Sequence, residues 1–397
     1  MNLLEDARAL QDDLVRLRRT LHRRPETGLD LPRTQETVLS EIDGLGLEVT
    51  TGERLSSVTA VLRGAAPGPT VLLRGDMDAL PVTERTGLDF AAETGTMHAC
   101  GHDLHTAMLT GAARLLAQHR DRLAGDVVFM FQPGEEGYDG ARLMVEEGVL
   151  DASGRRAEAA YALHVLSAGH TTGRFATRSG PAMAASNVLT VTVRGAGGHG
   201  SMPHRAKDPI PAACEMVTAL QTWISRSFDV FDPVVLTVGT FHAGTKQNVI
   251  PDSATFEATV RSFSPAAQAR VKDGTVEVCR GIAAAHGLQV DAEFTETYPV
   301  TVNDVEEADF VSRTVAELHG EERFQPMAQP LAGAEDFSRV LDEIPGAMTM
   351  LGSPPPGADP ETSPNNHSPL AVFDDSVMAD GAALYARLAL DRTAAGA

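Results

Sequence analysis

Cysteine and basic residues are scarce in this chain, and both shortages narrow its possible functions. The 397 residues include three cysteines, Cys100, Cys214 and Cys279, which are too few for a disulfide framework. A reducing compartment, the cytoplasm, is therefore expected. Lysine and arginine total 33 against 54 aspartates and glutamates, so the formal net charge is −21. That charge argues against nucleic acid and anionic membranes as partners.

Long apolar runs are also missing. No apolar stretch approaches the roughly 20 residues that a membrane-spanning helix needs. The start, Met1–Asp6, lacks a basic segment followed by an apolar one, so no signal peptide is predicted. Hydrophobic content of 43% and charged content of 22% are typical of a soluble globular protein. The length of the chain favours two domains.

Short apolar runs alternate with amphipathic segments through the first part of the chain. The runs are apolar throughout, which is typical of strands covered on both faces. Asp103 is the expected N-cap of the second predicted helix. Strands alternating with helices indicate an α/β fold with a mostly parallel sheet. The predicted strands are 69–76, 126–132 and 159–165, and the predicted helices are 3–24, 103–118 and 139–147.

A second pattern begins near residue 185, where the strands alternate polar and apolar residues. The predicted order there is β-α-β-β-α-β, the split unit of a ferredoxin-like α+β layer. Helices and a strand of the first pattern return after residue 298. The sequence therefore predicts a catalytic metal-binding domain in two parts, 1–184 and 299–397, with a ferredoxin-like domain inserted at 185–298.

Several side chains that can hold or use a metal stand just past these apolar runs or in loops. Thiolate, imidazole and carboxylate groups bind zinc, manganese, cobalt or nickel. Residues beyond the carboxyl ends of parallel strands line the crevice where α/β proteins bind ligands. Gathered in one cleft, such side chains predict a metal-activated water and a hydrolytic reaction. They are Cys100, His102, Glu135, Glu136, His164 and His367.

Each of these residues alone has a simpler explanation. A lone cysteine is more often an inert buried residue, and a lone histidine is more often a hydrogen-bonded structural group. Paired glutamates usually lie on a solvated face, but Glu135 and Glu136 follow an apolar run and a Pro-Gly turn. Three chemical types of ligand, all at strand or loop ends, are hard to explain as core filling.

Seven short segments occur in a fixed order along the chain. They are Arg74–Pro81 (RGDMDALP), His98–Asp103 (HACGHD), Gln132–Gly137 (QPGEEG), Ala162–Val165 (ALHV), Gly197–His204 (GGHGSMPH), Asn248–Asp252 (NVIPD) and Gly333–Phe337 (GAEDF). Together they resemble the amidohydrolase branch of the dinuclear metallopeptidases. That branch holds hippurate hydrolases, indole-acetyl-amino-acid hydrolases and N-acyl-amino-acid amidohydrolases. The resemblance runs from about Leu14 to Leu390.

The resemblance implies a centre of two divalent metal ions, whose identity stays open among manganese, zinc, nickel and cobalt. It implies that Glu135 is the general base, which takes a proton from the attacking water. It implies that Asp78 is a carboxylate that orients a ligand and the metals. Asp76 stands where a distant branch of the family has a metal-binding histidine, so a metal contact and a structural hydrogen bond both stay open for it. The implied metal ligands are Cys100, His102, Glu136, His164 and His367.

The inserted domain resembles the lid and dimerisation domain of the same family. The resemblance implies a homodimer formed through this domain and a role for His199 in stabilising the tetrahedral intermediate. Asn248 and Arg261 are expected to bind the substrate, Arg261 by pairing with a carboxylate. The alternatives are a solvated loop histidine and an exposed strand-end arginine. Hinges near 184–185 and 298–299 would let the domain close over the cleft.

The predicted function is hydrolysis of the amide bond of N-acyl-amino acids, either hippurate-like or acetylated. A metallo-carboxypeptidase or dipeptidase, or an N-acetyl-diaminopimelate-type deacetylase, is the alternative, because the same centre serves any secondary amide. A ligand-binding protein without catalysis is the alternative from a different class. Such a protein is expected to lack the base or several ligands, and this chain lacks none of them.

Overall fold

The computed structural model describes residues 2–394, which divide into two compact units. The larger unit comprises residues 2–182, 302–329 and 336–394, and the smaller comprises 183–301 and 330–335. None of the helices in the described residues is long and apolar enough to cross a membrane.

The described residues form ten helices and sixteen strands. The helices are α1 Leu3–Ala9, α2 Gln11–His22, α3 Pro32–Ile42, α4 His102–Gln118, α5 Gly140–Glu146, α6 Pro209–Ser227, α7 Pro265–Ala285, α8 Val305–His319, α9 Ser338–Leu341 and α10 Met378–Ala394. The strands are β1 Glu48–Thr51, β2 Val58–Leu62, β3 Thr70–Asp76, β4 Asp126–Gln132, β5 Ala159–Leu166, β6 Phe175–Thr177, β7 Gly180–Met183, β8 Ala185–Arg194, β9 Gly198–His199, β10 Val234–Ala243, β11 Val249–Ile250, β12 Ser253–Ser262, β13 Gln289–Tyr298, β14 Thr301–Asn303, β15 Phe324–Pro326 and β16 Gly346–Gly352.

An eight-stranded sheet forms the centre of the larger unit, in the order β1-β2-β4-β3-β5-β16-β6-β15. Strands β4, β3, β5 and β16 run parallel to one another. β3 and β16 are buried at every residue, as expected for strands covered on both faces. The antiparallel pairs involve β1, β2 and β6. The predicted α/β fold with a mostly parallel sheet is confirmed.

Helix α4 lies against this sheet and is almost fully buried. It begins at His102 after Gly101, whose φ of 83° lies in the left-handed region. A Cβ on Gly101 would lie 2.3 Å from Cγ2 of Val165, so glycine is required at this turn. Asp103 was predicted as the N-cap, and this is wrong. Its buried carboxylate instead accepts hydrogen bonds from Arg18 and His22.

The C-terminal helix α10 ties two central strands together through one side chain. The hydroxyl of Tyr385 donates to the carbonyl of Arg74 on β3 at 2.6 Å and accepts from the N–H of Leu163 on β5 at 2.7 Å. Tyr385 is fully buried. The helix α10 therefore links β3 and β5 near their carboxyl ends.

The smaller unit contains a four-stranded antiparallel sheet in the order β10-β12-β8-β13. Helices α6 and α7 pack on this sheet, and the core between them includes Leu189, Val191 and Phe256. Strand β8 alternates buried and more exposed residues along its length, as a sheet covered on one face requires. The chain order β8-α6-β10-β12-α7-β13 gives the ferredoxin-like layer that the sequence predicted.

Two short sheets complete the architecture. Strands β9 and β11 pair antiparallel and place His199 opposite Val249. Strands β7 and β14 form the other two-stranded sheet.

Candidate metal centre

The six potential ligand and base residues of the larger unit meet at one edge of its sheet. Cys100 and His102 stand at the start of α4, and Glu135 and Glu136 lie in the turn after β4. His164 lies within β5, two residues before its end, and His367 lies in the loop after β16. The topology brings them together because β4, β3, β5 and β16 are parallel neighbours.

Their ligand atoms form two sets that share the thiol of Cys100. One set is Cys100 with His102 and His164, and the other is Cys100 with Glu136 and His367. Within each set the atoms lie within 4.8 Å of one another. Sγ of Cys100 is 3.5 Å from Nε2 of His164 and 3.2 Å from Nε2 of His367. His367 Nε2 is also 3.2 Å from a carboxylate oxygen of Glu136.

Backbone carbonyls orient the two buried histidines. Nδ1 of His102 donates to the carbonyl of Asp78 at 2.9 Å, and Nδ1 of His164 donates to the carbonyl of Val165 at 2.8 Å. In the neutral rings this leaves the Nε2 lone pairs available, which is the usual arrangement for metal-binding histidines. His102 Nε2 is buried and has no hydrogen-bond partner among the described residues. Nitrogen, sulfur and oxygen donors so arranged fit a transition-metal centre.

Asp78 fixes the turn that carries the two glutamates. Its carboxylate oxygens accept the backbone N–H of Glu135 at 2.9 Å and of Glu136 at 3.0 Å. Gly134, just before the pair, has a φ of 76°, and a Cβ there would lie 2.4 Å from a methyl carbon of Leu29. The Pro-Gly turn is thus a packing requirement, and Asp78 organises both adjacent glutamates at once.

The electrostatics favour positive charge at His102 and His367, whereas burial and the neighbouring His105 lower the pKa of His164. Burial would lower the pKa of His102, but the carboxylate of Asp76 and the hydrogen bond with Asp78 outweigh burial and raise it. Hydrogen bonds with Cys100 and Glu136 raise the pKa of His367 to about 10. Burial would raise the pKa of Glu136, but its hydrogen bond with His367 and the charge of His102 lower it. An environment that favours a proton at these atoms favours a metal cation there too.

Asp76 is engaged on both sides by protein groups. One carboxylate oxygen lies 2.6 Å from Nδ1 of His105, and the other accepts from Arg74 Nη1 at 2.6 Å. The remaining ring nitrogen of His105 accepts the N–H of Val165 at 2.8 Å. Asp76 therefore links β3 to the strand that carries His164 and lies 3.6 Å from His102 Nε2. Asp76, His102 and His105 also present atoms within 4.8 Å of one another that could hold a metal.

Arg74 connects Asp76 to a second buried carboxylate, that of Asp336. Its Nη2 donates to Asp336 at 3.0 Å, and its Nε donates to Gln132 at 2.8 Å. Gln132 and the N–H of Ala141 also donate to Asp336. Sequence reasoning missed these partners, although Arg74, Gln132 and Asp336 all stand in the motif segments. Charged or polar residues at the ends of apolar runs were the available signal.

His367 differs from the other ligands in its backbone and its exposure. Its φ of 70° lies in the left-handed region, and 55% of its side chain is exposed. The N–H of His367 donates to the carbonyl of Ala99 at 2.8 Å, which ties the loop to the segment before Cys100. A strained non-glycine residue of this kind is often found at a functional site.

The predicted site residues of the smaller unit fall in two places. His199 on β9 and Asn248 just before β11 are neighbours, since the N–H of Gly200 donates to the carbonyl of Asn248. Nδ1 of His199 accepts the N–H of Ser201 and lies 2.8 Å from its hydroxyl. Arg261 lies on β12 of the four-stranded sheet and donates to the hydroxyl of Thr259. Burial lowers the pKa of Arg261.

Comparison with known proteins places these features in a family. Residues 72–391 match the model of peptidase family M20/M25/M40. The chain is 37% identical to thermostable carboxypeptidase 1 of Saccharolobus solfataricus over 393 residues, 98% of this chain and 97% of that protein. It is 34% identical to a hippurate hydrolase of Campylobacter jejuni, covering 98% of this chain and 99% of that protein.

A solved structure supports the same grouping. A Bacillus subtilis protein described as a dinuclear metal binding peptidase from the M20 family superposes with a TM-score of 0.83. It is 31% identical, and the match covers 98% of this chain and 99% of that one.

Proposed function

This chain belongs to peptidase family M20/M25/M40, and from its centre we propose a metal-dependent amidohydrolase that cleaves N-acyl-amino acids to a carboxylic acid and an amino acid. The observation that carries the proposal is the arrangement of the five ligands. Two sets of donor atoms share Cys100, and the buried histidines present Nε2 toward them. The hippurate hydrolase among the relatives supports the substrate class.

Two divalent metal ions held by Cys100, His102, Glu136, His164 and His367 would polarise the amide carbonyl and acidify a water. The residues divide the remaining work. Glu135, buried beside His102 and Glu136, is the general base that takes the proton of the attacking water. The carboxylate of Asp78 accepts the N–H groups of Glu135 and Glu136 and so fixes the general base and the adjacent ligand relative to each other.

The smaller unit is proposed to supply substrate contacts and to act as a lid and a dimerisation domain, inserted at 185–298 between the catalytic parts 1–184 and 299–397. His199 would stabilise the tetrahedral intermediate, and Asn248 and Arg261 would bind the substrate. The neighbouring positions of His199 and Asn248 support the first two roles. A homodimer is testable by analytical ultracentrifugation, in which a species of one chain's mass at all concentrations would contradict it.

A reducing, cytoplasmic location is part of the proposal. The three cysteines are unpaired, and Cys100 is needed as a free thiolate ligand. The metal is proposed to be manganese, zinc, nickel or cobalt, because the mixed donor set admits each of them. Metal analysis of protein purified without chelators identifies the one that is bound.

The decisive experiment replaces the base while leaving every ligand in place. Glu135→Gln keeps the size of the side chain and removes its ability to take a proton. Turnover of N-benzoyl- and N-acetyl-amino acids should fall by roughly 10²–10⁴-fold, with metal content unchanged. Glu146→Gln is the matched control, because Glu146 lies on the exposed surface of α5 and forms ion pairs with the exposed side chains of Arg54 and Arg142. Near wild-type turnover in Glu135→Gln contradicts the role given to Glu135.

A carboxypeptidase or dipeptidase is the second candidate, and the relative from Saccharolobus solfataricus favours it. A substrate panel separates the two functions. N-acetyl, N-benzoyl and indole-acetyl amino acids should be cleaved faster than unblocked di- and tripeptides, with each metal added back in turn. Faster cleavage of peptides would favour the carboxypeptidase, and binding without cleavage of any compound would favour a non-catalytic protein.

A further inference from the structure

The side-chain amide of Asn366 lies among three backbone segments that carry proposed metal ligands. Its Oδ1 accepts the N–H of Ser167 at 2.9 Å and lies 3.0 Å from the hydroxyl of the same residue. Its Nδ2 donates to the carbonyl of Val165 at 3.0 Å and to that of Cys100 at 3.3 Å. Nδ2 is also 3.7 Å from Sγ of Cys100.

These partners fix the orientation of the amide. Donors of Ser167 face Oδ1, and two backbone carbonyls face Nδ2. A carboxylate in this place would set an oxygen against both carbonyls. An apolar side chain would leave the N–H of Ser167 and both carbonyls without their hydrogen-bond partner. The site therefore requires an amide of asparagine length.

Two of these partners, Val165 and Cys100, are coupled directly to a ligand or are one. The carbonyl of Val165 also receives Nδ1 of His164, so Asn366 and His164 share one acceptor. Cys100 offers both its carbonyl and its thiol to Asn366. Asn366 itself precedes His367 in the loop, and the N–H of His367 is held by Ala99.

We infer that Asn366 is a positioning residue that fixes Cys100, His164 and His367 relative to one another, with one N–H donated to Val165 and the other shared between the carbonyl and the thiolate of Cys100. One amide thus sets the geometry of ligands from α4, β5 and the loop after β16. Hydrogen bonds to the groups that bear ligands commonly govern metal affinity. A donor to sulfur also stabilises its lone pairs, which changes the electronic properties of the thiolate.

The inference rests on the proposed metal centre, and cobalt(II) tests it without relying on hydrolysis. A thiolate ligand gives cobalt(II) a sulfur-to-metal charge-transfer band, whose energy falls when a hydrogen bond to sulfur is lost. Asn366→Asp and Asn366→Ala should bind cobalt(II) about 10–100-fold more weakly in chelator competition. In both variants the charge-transfer band should move to longer wavelength.

The neighbouring asparagine provides a matched control. Asn365 is exposed, and Asn365→Asp adds the same charge one residue away without touching the amide of Asn366. The cobalt(II) affinity of Asn365→Asp should not weaken, and its charge-transfer band should stay at the wild-type wavelength. Thermal unfolding of the metal-free proteins shows which variants are folded. Ser167→Ala, which removes a hydroxyl shared between Oδ1 and the carbonyl of Pro364, should shift the band in the same direction by a smaller amount.

The outcomes separate this inference from the proposed function. If the wild-type protein binds no cobalt(II) and shows no thiolate band, the metal centre itself is refuted. If the wild-type protein shows the band while folded Asn366→Ala and Ser167→Ala keep its wavelength and affinity, the role of Asn366 alone is overturned. A shifted band and weakened binding in the Asn366 variants, with Asn365→Asp unchanged, support it.

Discussion

The metal centre has a buried side and an open side that are held in different ways. On the buried side, His102 and His164 lie against Asp76, His105 and Arg74, and every one of these side chains is buried on strands or on α4. On the open side, Glu136 and His367 project from a turn and a loop, and more than half of the His367 side chain is exposed. Cys100 stands between the two sides and belongs to both sets of ligand atoms.

This difference shows how the fold separates two tasks. The buried side is organised by hydrogen bonds within the protein, so folding alone sets its geometry. On the open side, Nε2 of His367 lies 3.2 Å from Sγ of Cys100 and 3.2 Å from a carboxylate oxygen of Glu136. The proton held among these groups must leave before a cation can bind there. Substitutions of Arg74, Asp76 or His105, which support the buried ligands, should therefore act mainly on protein stability, and substitution of His367 on the open side should act mainly on metal affinity.

The largest effect on stability is expected for Arg74→Met. The change leaves Asp76 and Asp336 as buried carboxylates without their guanidinium partner. Breaking a buried ion pair in this way costs about 3–5 kcal/mol of unfolding free energy. Chemical unfolding of the metal-free protein measures it. Arg156→Met, which breaks exposed pairs of the same unit, should cost no more than about 1 kcal/mol. Equal losses in the two variants would contradict the supporting role given to Arg74 on the buried side.

A smaller effect, and one on a different property, is expected for His367→Gly. Metal affinity should fall by at least about 100-fold, because the variant loses a ligand and not merely an outer partner. The unfolding free energy of the metal-free protein should change less than in Arg74→Met, since solvent screens the ion pair of this half-exposed side chain with Glu136 and glycine suits the φ of 70°. Chelator competition and chemical unfolding measure the two quantities. A large loss of stability with normal affinity would reverse the assignment.

The mildest test is the pH dependence of metal binding. Hydrogen bonds with Cys100 and Glu136 raise the pKa of His367 to about 10, so the ring is protonated at neutral pH in the metal-free protein. A protonated imidazole cannot bind a metal, and binding must release this proton. Affinity should therefore rise with pH below 10, by about tenfold per unit from this group. His367→Gly should show a slope shallower by about one proton, and an unchanged slope would show that another group releases the proton.

The sequence predicted most of the elements with strong apolar patterns, and the missed elements include both exposed and apolar segments. Strand 126–132 was predicted with the bounds that β4 has. β1 was missed because all of its residues are exposed, which leaves no apolar signal. α3 was missed although Thr34, Val38 and Ile42 recur every four residues behind a proline at its start. Residues 3–24 were predicted as one helix, and the chain instead breaks near Leu10 into α1 and α2.

For the site, residue types and motif order indicated the ligands, but their connections required three-dimensional structure. Arg74 meets Asp336 across 262 residues of sequence, and no local pattern encodes such a pair. Asn366 looked like part of an ordinary polar loop. The open choice for Asp76, between a metal contact and a structural bond, depended on His105, whose helical neighbours give no hint of its partner.

The hydroxyl of Tyr385, wedged between β3 and β5, has a consequence for biosynthesis. The centre draws on groups from Arg74 to Tyr385, so a chain emerging from the ribosome has neither the loop of His367 nor the bridge from α10 until translation is nearly complete. The complete set of proposed ligands therefore exists only after the loop of His367 has been synthesised. Shorter nascent chains would hold Cys100 and His102 without all the residues that complete the two sets of ligands.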